Sequence, residues 1–170
     1  ATGDLAASVP DSGGVAMVPS FTGLSAPHWK PAARAGLVGM GLATTPGHIA
    51  RALLDGIAFQ CAEIIAAIGQ RQKGALQEVR ADGGPTRNSY LMQRQADVMG
   101  LPVLVSQEAD MTALGAALLA GIGAGQLFES DMERFAPQMR CFEPRIGADE
   151  RQAAWAFWHR AVETLGGWEA

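Results

Sequence analysis

One stretch near the middle of the chain combines residue types that could bind a small ligand. A predicted strand ending at Ala81 is followed by Asp82, Gly83 and Gly84, and Asn88 opens a predicted helix. Glycines let a flat ring or a phosphate approach the backbone because they carry no Cβ. Asn88 could cap the helix, bond a ligand, or do both. The same pattern is also typical of an ordinary tight turn, so the turn alone leaves both interpretations open.

The elements around this turn predict a strand–turn–helix–strand unit. Apolar residues at helical spacing predict a helix over Ser89–Met99 that stops at Gly100, and Leu101–Ser106 follows as a second strand. Ligands of such units bind at the carboxyl ends of the strands, where helix N–H groups are unpaired. A dinucleotide-binding Rossmann domain is the weakest interpretation, because its Gly-x-Gly-x-x-Gly fingerprint is missing between Asp82 and Asn88.

The remaining pattern predicts further short strands and helices. Residues 1–14 are expected to be an irregular start. The expected strands are Val15–Pro19 and Ala35–Met40, and the expected helices are His48–Gln70 after the Thr45-Pro46 start signal, Met111–Gly121 and Ala148–Leu165.

Three side-chain expectations accompany these elements. Phe21 and Trp29 are expected to anchor the loop between the first two strands to the core, and the alternative is a recognition loop. Asp55 and Glu63 invite an acid–base interpretation, but nothing in the sequence pairs them with a base, so solvated helix carboxylates are expected. Gly115 is costly inside a helix, so close packing or a nearby ligand is expected there.

Composition narrows the classes of function. The chain has 170 residues, 48% of them hydrophobic and 18% charged, with a formal net charge of −4 and no basic run. This argues against a nucleic-acid or anionic-membrane surface. No segment is expected to be long and apolar enough to span a membrane, and no signal peptide is visible. Two cysteines, Cys61 and Cys141, are expected to be free thiols in a reducing cytoplasm, and no metal-ligand spacing is present.

Four stretches, in this order and at this spacing, resemble the FGGY carbohydrate kinases, and most closely their glycerol-phosphorylating members. They are Val18–Trp29, Ala33–Met40 leading into His48–Ala52, Asp82–Gly84 with Asn88, and Thr112–Ala117.

The resemblance implies an α/β fold, the ribonuclease-H-like carboxyl-terminal domain of the actin/hexokinase type. It implies transfer of the ATP γ-phosphoryl group to a hydroxyl of glycerol, a small-molecule polyol, with Mg²⁺. By position, Gly84 and Asn88 match nucleotide contacts, Gly83 shapes the turn beside them, Asp82 begins it, and the helix over Thr112–Ala117 closes the pocket.

The same resemblance implies that essential parts lie elsewhere. The family's catalytic carboxylate, phosphate-binding hairpin and most polyol contacts belong to upstream motifs that do not occur here, so we assign no catalytic residue. Residues 1–170 are expected to form the carboxyl-terminal part of the second kinase domain, without the first domain, and to be inactive alone. Exposed sheet edges favour a homo-oligomer. The alternatives are a xylulose, ribulose or gluconate kinase, and a non-catalytic nucleotide-binding or interaction module.

Overall fold

The computed structural model describes residues 2–71, 74–108 and 110–168. The helices and strands predicted from the sequence are present within these ranges, and the strands are shorter than predicted. In chain order the elements are α1 (Thr2–Ala7), β1 (Ala16–Val18), β2 (Gly36–Val38), α2 (Pro46–Gly69), β3 (Val79–Ala81), a 3₁₀ helix (Gly84–Arg87), α3 (Ser89–Met99), β4 (Val103–Ser106), α4 (Met111–Gly123), a second 3₁₀ helix (Glu129–Phe135), β5 (Met139–Phe142) and α5 (Ala148–Leu165).

The central unit is confirmed as a parallel strand pair joined by a helix. Val79 of β3 lies opposite Val103 of β4, and α3 connects the two strands. β5 adds an antiparallel strand on the other side of β4. β1 and β2 form a separate antiparallel pair in which Met17 lies opposite Leu37. The mixed α/β class is therefore confirmed.

Helix α2 lies at the centre of the core. Its residues Ala50, Leu54, Ala58 and Ala62 recur every fourth position and are almost completely buried. At Gly56 an added Cβ would collide with the main-chain carbonyl of Met17, so the glycine lets β1 lie directly on the helix.

Helix α2 is also long and apolar enough, by length and composition alone, to cross a membrane. The expectation that no segment reaches this length is therefore wrong for Pro46–Gly69. The reason is that a helix packed on several sides within a protein core needs the same apolar composition as a membrane span. The finding is weak evidence for a membrane span.

The aromatic face of α5 packs on its own domain, as predicted. Trp158 stacks on Phe59 of α2 with the ring centroids 5.4 Å apart. Trp155 meets Phe59 edge-on at 5.3 Å and donates its Nε1–H to the carbonyl of Val98, at 2.9 Å. These contacts join α5, α2 and the end of α3 into one core.

The prediction of an irregular start is wrong for Thr2–Ala7, which form α1. Ala6 is fully buried, and Arg51 of α2 donates to the carbonyl of Val9 at 2.6 Å just after α1. The Gly/Ala/Ser composition indicated disorder, but packing against α2 supplies the stability that a short helix lacks by itself.

The expectation for the loop aromatics is also wrong. Phe21 is 68% exposed and Trp29 is 75% exposed. Leu24, 3% exposed, anchors this loop instead, and His28 holds it to α2 by bonding Glu63. The sequence pattern identified an anchored loop but chose the wrong side chains for the anchor.

Candidate functional site

The turn after β3 has a backbone conformation that favours glycine, as its two glycines indicated. Gly83 has a φ of 92°, a region that side-chain-bearing residues rarely adopt. Its carbonyl accepts hydrogen bonds from the Thr86 amide at 3.1 Å and from the Thr86 hydroxyl at 2.7 Å. These bonds close the 3₁₀ helix Gly84–Arg87, which the sequence analysis did not predict. The turn is therefore held in one conformation by its own hydrogen bonds.

Gly84 presents bare backbone to solvent. No atom of the described residues lies within 4 Å of the position that a Cβ would take there. Gly84 is exposed. A flat ligand could lie directly against this peptide, and a side chain at this position would occupy the same space.

Asn88 caps α3. Its Oδ1 accepts a hydrogen bond from the amide of Leu91 at 3.2 Å, as an N-cap side chain should. Its side-chain nitrogen has no hydrogen-bond partner in the part of the chain that the structure describes, so both of its N–H groups can serve a ligand. Helix α1 lies against this side chain, since a Cβ added to Gly3 would be only 2.6 Å from Asn88 Oδ1.

The structure brings Gly84 and Asn88 together but separates Asp82 from them. Gly84 and Asn88 line one cavity of about 630 Å³, bounded by α1 on one side and the start of α3 on the other. Asp82 is exposed and lines a different hollow of about 540 Å³, together with Ser106 and Met111. A ligand over Gly84 would therefore meet Asn88, whereas Asp82 only begins the turn.

No ligand role was assigned from the sequence to two arginines of this region. Arg87 and Arg145 line the cavity that holds Gly84 and Asn88. They add positive charge beside the unpaired amides at the start of α3, and Asp4 in the same lining offsets one of the two charges. The remaining positive charge favours an anionic ligand. Arg145 is far from the turn in sequence, and only the fold brings it here.

The small-residue helix α4 does not close this cavity. Met111, its first residue, lines the neighbouring hollow. A Cβ at Gly115 would meet no atom of residues 2–71, 74–108 and 110–168 within 4 Å, so the close packing expected there is not found. Leu119 on the same helix is 67% exposed. The residue pattern predicted the helix but not what packs beside it.

The two carboxylates of α2 are not solvated, contrary to expectation. Asp55 Oδ1 accepts a hydrogen bond from Tyr90 at 2.7 Å and lies 3.2 Å from Arg94 Nε. Burial raises the pKa of Asp55, although the positive charges of Arg94 and Arg51 act in the opposite direction. Sequence patterns could not find this cluster, because its members lie on two different helices.

The second carboxylate, Glu63, is 6% exposed and faces two imidazoles. Its Oε1 lies 2.9 Å from His28 Nε2 and 3.9 Å from His159 Nε2. These contacts join α2 to the loop before β2 and to α5. Both carboxylates of α2 therefore hold structural elements together.

Comparison with known proteins gives one consistent family. The model described as "FGGY family of carbohydrate kinases, C-terminal domain" matches residues 1–124. The glycerol kinase of Aromatoleum aromaticum is 49% identical over 169 residues, which cover 98% of this chain and 34% of the relative.

Two solved structures have a similar fold. The Plasmodium falciparum glycerol kinase with ADP is 34% identical, with a TM-score of 0.86 and coverage of 96% of this chain and 33% of the other. The xylulose kinase of Rhodospirillum rubrum is 28% identical, with a TM-score of 0.77 and the same coverage. The chain spans about a third of the length of the curated relatives it matches.

Proposed function

The chain belongs to the FGGY family of carbohydrate kinases, and from this premise we propose that it supplies the adenine side of the nucleotide site in an ATP-dependent glycerol kinase. The complete kinase transfers the γ-phosphoryl group of ATP to a hydroxyl of glycerol and releases ADP and glycerol 3-phosphate. The 49% identity to a glycerol kinase over almost the whole chain supports this substrate.

The observation that carries the proposal is the bare peptide at Gly84 beside the half-used carboxamide of Asn88, in one cavity. The purine face lies on the Gly84 backbone. The Asn88 N–H groups donate to acceptors on the edge of the base. Gly83 supplies the backbone conformation that turns Gly84 outward, and Asp82 leads into the turn from β3.

In this proposal the chain binds and orients the nucleotide and does not supply the base that accepts the proton of the acceptor hydroxyl. Phosphoryl transfer depends on positioning and on charge stabilisation around the phosphates. Asp55 and Glu63 are bonded to neighbouring helices and loops, and neither lines the cavity that holds Gly84. The base that accepts the hydroxyl proton is therefore assigned to a part of the kinase outside these residues.

Mg²⁺ accompanies ATP in such a reaction, and it would bring charge neutralisation to the phosphates. Its ligands are usually carboxylate oxygens and water. The described ranges contain no group of three or more His, Cys, Asp or Glu residues that could hold a metal ion. These residues do not fit a magnesium site, and we assign none of them as its ligands.

The complete kinase is proposed to be a cytoplasmic homo-oligomer. The free thiols of Cys61 and Cys141 fit a reducing compartment. Exposed apolar side chains, among them Leu119 and Phe128, offer surface that association would cover.

A xylulose kinase is the second candidate, because the similarity to the Rhodospirillum rubrum enzyme also covers 96% of the chain. The two candidates share the nucleotide site, so only the acceptor distinguishes them. The test is a coupled ADP-release assay on the complete kinase with glycerol, erythritol, xylitol, D-xylulose, L-ribulose and gluconate. Turnover with glycerol is expected. Turnover with D-xylulose and with no other acceptor would assign xylulose as the substrate in place of glycerol. No turnover with any of the acceptors would refute the assignment as a kinase.

A further inference from the structure

Tyr90 ties the first turn of α3 to α2. Its hydroxyl donates to Asp55 Oδ1 at 2.7 Å, across 35 residues of sequence. One helical turn later, Arg94 Nε lies 3.2 Å from the same oxygen, close enough for an ion pair. One carboxylate of α2 therefore holds α3 at two points.

The surroundings of the Tyr90–Asp55 hydrogen bond strengthen it. The Arg51 guanidinium lies 5.4 Å from the centre of the Tyr90 ring. Burial, with the neighbouring Asp55 carboxylate, raises the pKa of Tyr90 above its ordinary value, so the phenol keeps its proton at neutral pH. A hydrogen bond to a carboxylate in a poorly solvated place is stronger than one between neutral groups.

The same helical turn carries the proposed nucleotide contacts. Asn88 is two residues before Tyr90 and caps this turn through Leu91. The main-chain N–H of Asn88 also donates to the carbonyl of Pro85 at 3.0 Å, and this bond joins the 3₁₀ helix to α3. Gly84, Asn88 and the first turn of α3 therefore form one hydrogen-bonded unit, and this unit moves when α3 moves.

We propose that Tyr90, held by Asp55, is a positioning residue for ATP. Tyr90 lines the same cavity, but its hydroxyl is bonded to Asp55 and is not assigned to the nucleotide. Through that bond it sets the place of α3 and so the place of Asn88 and Gly84 against the purine. This inference rests on the proposed nucleotide site.

The test is Tyr90→Phe in the complete kinase. The phenylalanine ring keeps the packing and the contact with Arg51 and removes only the hydroxyl. Losing one hydrogen bond to a charged group should raise KM for ATP and the Kd for ADP by roughly tenfold to a hundredfold. The kcat at saturating ATP and the KM for glycerol should not change, because no reacting group and no acceptor contact is altered.

A matched control comes from the other end of α3. Trp155→Phe removes the 2.9 Å hydrogen bond to Val98, far from the turn that carries Asn88. It should lower Tm and leave the Kd for ADP unchanged. The Asp55 side gives a graded experiment: Asp55→Asn keeps an acceptor for the hydroxyl but loses the charge that pairs with Arg94, so its ADP affinity should lie between those of wild type and Asp55→Ala. Asp55→Ala loses both contacts and should bind ADP at least as weakly as Tyr90→Phe. The double variant Tyr90→Phe/Asp55→Ala should be no worse than Asp55→Ala alone.

Calorimetric titration with ADP, together with steady-state kinetics, separates the outcomes. If Asn88→Ala weakens ADP binding but Tyr90→Phe does not, the positioning role is wrong and the nucleotide site stands. If Tyr90→Phe lowers only Tm, as Trp155→Phe should, the role of Tyr90 is structural and the inference is overturned. If Asn88→Ala also leaves ADP binding unchanged, the proposed site fails and the inference fails with it.

Discussion

Replacing Gly84 by valine separates the binding of nucleotide from the integrity of the fold. Apart from its chain neighbours, nothing lies within 4 Å of the added Cβ, and Gly84 does not have a positive φ, so the fold has room for the side chain. Because a side chain directly before Pro85 restricts the backbone of this helical turn, the free energy of unfolding should fall by at most about 1 kcal/mol.

The same side chain occupies the space assigned to the purine. Forcing extra methyl groups into a close contact costs about 1–3 kcal/mol. At about 1.4 kcal/mol for each factor of ten, KM for ATP should rise from roughly fivefold to more than a hundredfold. KM for glycerol should not change, because the acceptor does not contact this turn in the proposal.

The assay is ADP release by the complete kinase at varied ATP and fixed, saturating glycerol, with urea unfolding of each variant in parallel. Gly41→Val is the matched control, since an added Cβ there also meets nothing within 4 Å and Gly41 lies outside the candidate cavity. An unchanged KM for ATP in Gly84→Val, with intact folding, would refute the placement of the purine on this peptide.

Three further predictions concern single side chains. Asn88→Ala should lose about 1 kcal/mol of unfolding free energy with its helix cap and should also raise KM for ATP; urea unfolding and kinetics measure the two effects separately. Gly56→Ala should destabilise by about 1–3 kcal/mol in urea, because its Cβ meets the rigid carbonyl of Met17, and near-wild-type stability would contradict the packing. Burial raises the pKa of Asp55, so the folded state holds more protons than the unfolded state above pH ~4. Stability relative to Asp55→Asn should therefore fall as pH rises through that raised pKa, and parallel pH curves of the two proteins would disprove this.

The sequence predicted best what depends on neighbouring residues. The helix Ser89–Met99 has the predicted bounds, because Asn88 caps it and Gly100 ends it in a left-handed conformation. The two-glycine turn before it was predicted for the same reason. Such signals need only a few consecutive residues.

Contacts between residues that are distant in the sequence could not be predicted from sequence patterns. The bond between Asp55 and Tyr90 joins two helices, and neither residue type announces its partner. Periodicity gave the apolar stripe of α2 but placed Glu63 among the solvated residues, because it could not show that His28 arrives there from a loop. The open surroundings of Gly115 likewise depend on how α4 is placed and not on its composition.

The loop that carries Phe21 and Trp29 has a consequence for association. Leu24 and Lys30 exchange two main-chain hydrogen bonds at 2.9 and 2.8 Å, and His28 fastens the loop to Glu63. Two large rings are therefore held in water on a backbone that is already ordered. The backbone entropy of this loop is lost when the chain folds and not when a surface covers it, so covering the rings would gain their apolar area at the cost of ordering the two side chains alone.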